Sequence, residues 1–218
     1  MIIDCISDLH GHYPKLEGGD LLIVAGDLTA DDSRQGYEQF FDWLNSQDYK
    51  KIIFISGNHD NQAMSQFDWG RDHIEYLCDS GTEFEGLKIF GSPWTKTFEG
   101  MNPNCKAFTY DTEEELAEKW ALIPDDIDIL VTHSPGYAVL DTVDPIDSCC
   151  NFHAGSKTLA LEHKNRLRVK LHVFGHIHES YGLERLSRIK DDSDLILVNA
   201  SHVNEHYEPV NNPIRIEL

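Results

Sequence analysis

Five apolar runs in this chain each stop at a residue able to hold a metal or move a proton. The run over 2–7 stops at Asp8 and His10, that over 21–25 at Asp27, and that over 51–56 at Asn58 and His59; 127–132 stops at His133, and 171–174 at His176 and His178. Continuous apolar runs of about four to eight residues read as strands covered on both faces, the pattern of a parallel sheet. Between two of these runs, residues 31–45 carry Tyr37, Phe40, Phe41 and Leu44 at helical spacing and supply a crossover helix. In open α/β sheets, ligands bind beyond the carboxyl ends of the strands. Groups far apart in sequence are therefore expected to meet at one edge of the molecule. A single Gly-Asp or a single histidine at a strand end is ordinary turn punctuation; recurrence at all five ends argues for one shared site.

The remaining segments extend the pattern. Residues 83–91 read as two short strands around Gly86, and Thr112 with Glu115 starts a helix whose apolar face carries Leu116, Trp120 and Leu122. A further helix is expected over 156–168, and further strands over 181–188, 195–200 and 214–218. Residues 61–80 show no clear period, while long loops over 91–110 and 136–152 are candidate pocket walls. No repeat or linker divides the 218 residues, so a single domain over 1–218 is expected.

Eighteen Lys+Arg against 38 Asp+Glu give a formal charge of -20. A surface of that sign repels polyanions and anionic membranes, which argues against long nucleic acid as a partner. No apolar run approaches the roughly 20 residues needed to span a bilayer, and the start reads as a strand with no targeting signal, so no membrane and a cytoplasmic location are expected. Cys5, Cys78, Cys105, Cys149 and Cys150 lack the paired spacing of a zinc site or a disulfide framework and read as reduced thiols.

The ligand types point one way. Carboxylate, imidazole and amide oxygen without thiolate suit Mn, Fe or Zn in a reactive site better than a structural zinc or a calcium site. If one carboxylate bridges, there are positions enough for two ions, which clamp the oxygens of a displacement at phosphorus and lower the pKa of bound water towards ~7.

The series Asp8-x-His10, Gly26-Asp27, Gly57-Asn58-His59-Asp60, His133 and Gly175-His176-x-His178 resembles the calcineurin-like metallophosphoesterases over nearly the whole chain. Phe90-Gly-Ser-Pro-Trp-Thr95 and Leu171-His-Val-Phe-Gly-His-Ile-His-Glu179, with the run ending at His133, are similar to the metallophosphoesterase-domain (MPPED-type) subgroup. The resemblance implies an α+β, four-layer α/β/β/α sandwich of two mixed β-sheets flanked by helices. It implies two divalent metal ions, Mn first with Fe or Zn as alternatives. Asp8, His10 and His178 would hold one ion, Asn58, His133 and His176 the other, and Asp27 would bridge them. His59 would contact phosphate and protonate the leaving oxygen.

The implied activity is a metal-dependent phosphoric ester hydrolase, a phosphodiesterase ahead of a phosphatase, on a small phosphoester such as a cyclic nucleotide. A phosphomonoesterase, a nuclease and a non-catalytic binding protein on the same site are the alternatives. Leu28-Thr29-Ala30 fills the turn where the phosphoprotein phosphatases carry Arg, which weakens a protein-phosphatase reading. Asp60 reads either as the group that orients His59 or as a capping carboxylate. His12, Arg71, His73, Lys96 and His202 are further pocket candidates, and Trp94 reads either as a base-stacking ring or as core.

Overall fold

In β2 (Gly19–Ala25) every residue from Leu21 onward is buried, and alternate side chains enter different cores: Leu21, Ile23 and Ala25 one, Leu22 and Val24 another. A strand points successive side chains to opposite faces. Such a run stays apolar throughout only where both faces of its sheet are covered. β1 (Ile2–Ile6) divides in the same way, with Ile3 and Cys5 opposed to Ile6, and β3 (Tyr49–Ile55) sets Ile53 and Ile55 against Ile52 and Phe54. β4 (Ile74–Tyr76) and β15 (Ile214–Glu217) complete a five-stranded sheet in the order β15-β1-β2-β3-β4, parallel except for β15 against β1.

A second sheet has six strands: β5 (Ser80–Phe84), β6 (Leu87–Ser92), β9 (Ile129–Thr132), β12 (Leu171–Phe174), β13 (Gly182–Arg188) and β14 (Ser193–Asn199), in the order β13-β14-β12-β9-β6-β5. Its centre is parallel and both edges are antiparallel. Two short ribbons, β7 (Thr95–Lys96) with β8 (Thr109–Tyr110) and β10 (Thr142–Val143) with β11 (Phe152–His153), lie in the expected long loops. The structure, a computed structural model, describes residues 1–64, 72–97, 105–143, 152–188 and 193–218. Arg71, Cys149 and Cys150 lie outside the described residues.

The three cores define four layers. One core lies between the sheets, where Ile3, Ile23 and Ile53 share a cluster with Val131, Val173 and Val198. α1 (Arg34–Ser46) covers the outer face of the first sheet with Tyr37, Phe40, Trp43 and Leu44. α2 (Glu113–Trp120) and α3 (Lys157–Asn165) cover the second with Leu116, Trp120 and Leu159. This is the expected α/β/β/α sandwich of two mixed sheets.

Helix limits follow local chemistry. Ser33 caps α1 by accepting from the Gly36 amide, so the helix begins inside the expected 31–45. Thr112 and Glu115 form the expected capping box of α2. Leu122 is not on the apolar face of that helix: it lies beyond Trp120, is 52% exposed, and leaves the buried position to Ile123. α3 stops at Asn165, and the chain turns inward so that Leu167 and Val169 enter the core. β4, at three residues too short to show a period, was not expected. Among the described residues no helix is long and apolar enough to cross a membrane.

Candidate metal centre

All five expected strand ends deliver their polar residues to one place. β1 leads into Asp8 and His10, β2 into Asp27, β3 into Asn58 and His59, β9 into His133, and β12 into His176 and His178. Asp8, His10, Asp27 and His176 all take left-handed backbone conformations, with φ of 50°, 42°, 54° and 69°. Such angles in non-glycine residues cost about 1 to 3 kcal/mol each and persist where surrounding structure enforces them. Here they turn the chain sharply at the sheet edge, so that side chains two residues apart reach the same point.

The donor atoms are close together. Asp27 lies 3.5 Å from His10 Nε2 through Oδ2 and 3.5 Å from His133 Nε2 through Oδ1. His178 Nε2 is 3.3 Å from Asp8 Oδ1, Asn58 Oδ1 is 3.0 Å from His133 Nε2, and the His133 and His176 rings are 4.9 Å apart. Asp8, His10 and His178 form one group whose donor atoms all lie within 4.8 Å of one another, and Asp8, Asp27 and His133 form a second. A third, His10 with Asp27 and His59, overlaps both.

The outward nitrogens of two imidazoles are tied down. His133 Nδ1 donates to the Ala25 carbonyl at 2.9 Å and His178 Nδ1 to the Asn204 carbonyl at 3.1 Å, which turns each Nε2 towards the centre. Asp8 accepts from the His176 amide at 3.0 Å and the Ser201 hydroxyl at 2.8 Å, and Asp27 accepts from the His59 amide at 3.0 Å.

These residues fit a divalent cation. His10 Nε2 is buried and has no hydrogen-bond partner among the described residues. Buried polar atoms are satisfied in most folded proteins, and a cation between His10 and the two carboxylates would satisfy this one. The donors are all carboxylate, imidazole or amide, the set expected for Mn, Fe or Zn. Electrostatics agree for His10 and His176, whereas, against burial, the carboxylates raise His133 and His178. Burial pushes His10 down to about 4 and His176 to about 3, which keeps both rings neutral as ligation requires. Burial alone would raise Asp27 and Asp8. The imidazoles around Asp27, His133 foremost, and His178 beside Asp8 instead hold both carboxyls below the usual carboxylate range. Burial opposes a charge on His133 too, yet Asp27 lifts it to about 9.

The calcineurin-like phosphoesterase family model matches residues 1–180 of the chain. The chain belongs to that family. It is 34% identical to metallophosphoesterase domain-containing protein 1 of Homo sapiens, over 98% of this chain and 70% of that protein, and equally so to the Mus musculus protein of the same name. A protein named probable rhamnogalacturonate lyase C, from Emericella nidulans, is 35% identical over 83% of this chain but only 17% of its own length. One solved structure superposes with a TM-score of 0.59 at 14% identity, covering 91% of this chain and 89% of that one, a likeness of fold alone.

The cluster opens into a cavity of about 180 Å³ lined by Asp27, Asn58, His59, His176 and His178. Both expected loop regions contribute walls, Lys96, Cys105 and Lys106 from one, Val143 and Phe152 from the other. Lys96 is thus placed at the cavity, whereas His12, His73 and His202 do not line it; His202 is buried, with Nδ1 2.7 Å from the Asn211 carbonyl. Trp94 is also elsewhere. Its indole N–H donates to Asp79 at 2.9 Å and its ring stacks on Tyr110 at 4.8 Å, a packing role. Tyr207 was missed by sequence reasoning: its ring stands edge-on to His10 at 4.8 Å and to His178 at 5.5 Å, at the cavity mouth. It comes from an irregular turn with no period or motif to mark it.

Asp60 does not reach the His59 ring. It is fully buried and accepts from the Gly57 amide at 2.7 Å, the Leu28 amide at 3.0 Å and the Tyr37 hydroxyl at 3.3 Å, bracing the two loops that follow β2 and β3. Burial, with Asp27 nearby, raises it to about 8.

Gly175 lets the last of these loops approach the first. A Cβ there would lie 2.1 Å from Asp8 Oδ2 and 2.2 Å from Ser7 Oγ. Gly175→Ala is therefore expected to displace Asp8 and weaken divalent-metal affinity by about 10- to 100-fold, the range seen when support of a ligand is disturbed. Metal titration by calorimetry checks this, and unchanged affinity in a folded variant would refute it.

Proposed function

We propose that this chain is a two-metal phosphoric ester hydrolase that cleaves a small phosphodiester, a cyclic nucleotide being the first candidate. The observation that carries the proposal is the convergence of two carboxylates, four imidazoles and an amide around the unsatisfied His10 Nε2, with His59 beside them at the floor of a cavity. In this reading Asp8, His10 and His178 hold one ion, Asn58, His133 and His176 hold the other, and Asp27 bridges. Mn is the first choice, with Fe or Zn as alternatives. Bound divalent ions would supply phosphoryl polarisation and an acidified water.

The chain's own groups do the rest. His59 has a side chain 21% exposed, with Nε2 3.9 Å from Asp27 Oδ2, so its imidazole can reach a leaving oxygen in the cavity and donate a proton there. Lys96 and Lys106 line the cavity, and neither ammonium has an ion-pair partner among the described residues. In a protein of formal charge -20, two free cations at one cavity favour an anionic substrate locally. Val143, Phe152, Ile177 and Tyr207 supply apolar surface for the alcohol side of an ester.

One feature favours a diester over a phosphoprotein. Leu28 and Thr29 are buried, so the turn after Asp27 offers no side chain to clamp a dianionic monoester. The negative outer surface further opposes long nucleic acid. A cytoplasmic setting is part of the same reading, consistent with Cys5, Cys78 and Cys105 being free thiols.

The test is a comparison of kcat/KM at fixed ionic strength for a cyclic nucleotide, a nucleoside monophosphate, single-stranded DNA and a phosphopeptide, with Mn supplied. The cyclic nucleotide is expected to be the best substrate. Preference for DNA or the phosphopeptide would overturn the substrate class, and no turnover by protein carrying two ions per chain would leave a binding protein instead.

A further inference from the structure

Large aromatic side chains gain most from burial, so those left in water mark places where something else is expected to cover them. Among the described residues, the Phe, Tyr and Trp side chains left exposed are Tyr137, Phe152 and Tyr207. Tyr137 has partners away from the cavity: the His153 ring at 5.0 Å, and the Lys157 ammonium 5.5 Å from its ring centre. The other two, 41% and 40% exposed, both line the cavity beside the donor cluster.

Both rings are held in place from the segment that carries His178. The Tyr207 amide donates to the Asn204 carbonyl at 2.9 Å, and the same carbonyl accepts from His178 Nδ1 at 3.1 Å. The Asn204 side-chain oxygen fixes the turn further by accepting from the amides of His206 at 3.0 Å and Glu208 at 2.9 Å. Tyr207 itself takes a left-handed backbone conformation, with φ of 61°, a cost that persists only where surrounding structure enforces it. Phe152 lies in β11, paired with Val143 of β10. The Thr142 amide donates to Ser180 Oγ at 2.9 Å, and that hydroxyl donates back to the Thr142 carbonyl at 2.8 Å. Ser180 follows His178 by two residues, so this ribbon too is tied to the loop after β12.

We propose that Phe152 and Tyr207 determine substrate specificity by stacking on a planar ring in the alcohol of the phosphoester, and that this ring is a nucleobase. The proposal rests on the reading of the centre as a phosphoesterase.

Placement supports it. The Tyr207 ring centre is 4.8 Å from that of His10 and 5.5 Å from that of His178, so an ester with its phosphate at the donor cluster has its alcohol next to this ring. Every base has a π-face, and aromatic side chains held in advance at fixed positions bind such faces with little ordering cost. Glu179 and Glu205 line the same cavity. Ionised carboxylates only accept hydrogen bonds, which suits the ribose hydroxyls and amino groups of a nucleoside and gives nothing to a plain aryl ester.

The experiment compares ligands that share a phosphate and differ in the base. Adenosine monophosphate and ribose phosphate are titrated by calorimetry into Mn-loaded wild type, Phe152→Leu, Tyr207→Leu and Tyr207→Phe. Rates are measured on cyclic adenosine monophosphate and on a cyclic diester of an aliphatic diol. The wild type is expected to bind the nucleotide about 5- to 150-fold more tightly than ribose phosphate, the range that base stacking supplies. Each Leu variant should lose about fivefold or more on the nucleotide and less than about twofold on ribose phosphate, with metal content retained, whereas Tyr207→Phe, which keeps the ring, should keep the preference. Equal affinity for the two ligands in the wild type would overturn the proposal. Equal losses on both ligands in the Leu variants would overturn it too, leaving the rings as covers for the donor cluster. Preference for the nucleotide without turnover of either ester would sink the function proposed above and leave the stacking role standing; equal turnover of both esters with no binding preference would do the reverse, and no binding of either ligand by metal-loaded protein would sink both.

Discussion

Replacing Asp27 with Ala is expected to cut bound divalent metal from two ions per chain to at most one, and to lower kcat/KM by about 10⁴-fold or more. A loss of that size is about 5.4 kcal/mol of barrier at 1.36 kcal/mol per decade, on the scale of the several kcal/mol that metal ions contribute to such displacements. Geometry gives the reason. Asp27 is 2% exposed and places its two oxygens 3.5 Å from His10 and 3.5 Å from His133, one on each side of the centre. Without it Asp8 is the remaining carboxylate of the proposed ligand set. Asp27 also accepts from the His59 amide, so Asp27→Asn, which retains an acceptor oxygen, separates loss of charge from loss of that brace. Metal analysis of dialysed protein alongside rate measurement decides the matter. Two ions per chain in Asp27→Ala would exclude the bridging role.

The convergence of these residues was legible in the sequence because two constraints coincide. A run such as 21–25 has to be buried on both faces, which makes it an interior strand, and the residue after an interior strand has little choice but the sheet edge. Five such runs put five loops at one edge. The four layers were implied by the family resemblance, and the structure shows their physical basis in the separate cores entered by Leu21 and Leu22.

What the sequence left open depends on encounters between segments with no pattern of their own. Cys105 meets His59 and Tyr207 meets His10 through irregular turns whose paths are set by tertiary packing. Asp60 could not be assigned without distances, since a carboxylate one residue from a histidine can turn either to the ring or to the amides of Gly57 and Leu28. Trp94 was equally ambiguous until Asp79 and Tyr110 were seen to hold it. At helix ends the differences were of one to three residues, as with Leu122, because the apolar period continued past the point where Ala121 ends α2.

His59→Ala is expected to lower turnover by about 10² to 10⁴, the usual worth of a general acid, while leaving metal content unchanged. The structure makes both halves of this prediction necessary. His59 belongs to a group with His10 and Asp27 whose donor atoms lie within 4.8 Å of one another, so on distance alone its imidazole is a candidate ligand as well as a proton donor. Its side chain is more exposed than that of His133, at 21% against 0%, and it lines the cavity, which suits a group that meets substrate. Metal analysis separates the two roles. Leaving-group dependence then separates acid catalysis from phosphate positioning. An alkoxide departs poorly without a proton, so the full loss should appear with an alkyl diester, whereas a nitrophenolate is stable enough to leave unaided and the loss should shrink towards unity. If the loss is the same for both esters with two ions still bound, His59 positions phosphate and does not deliver the proton; if the ions are lost, it is a ligand, and the acid must be sought elsewhere on the cavity wall.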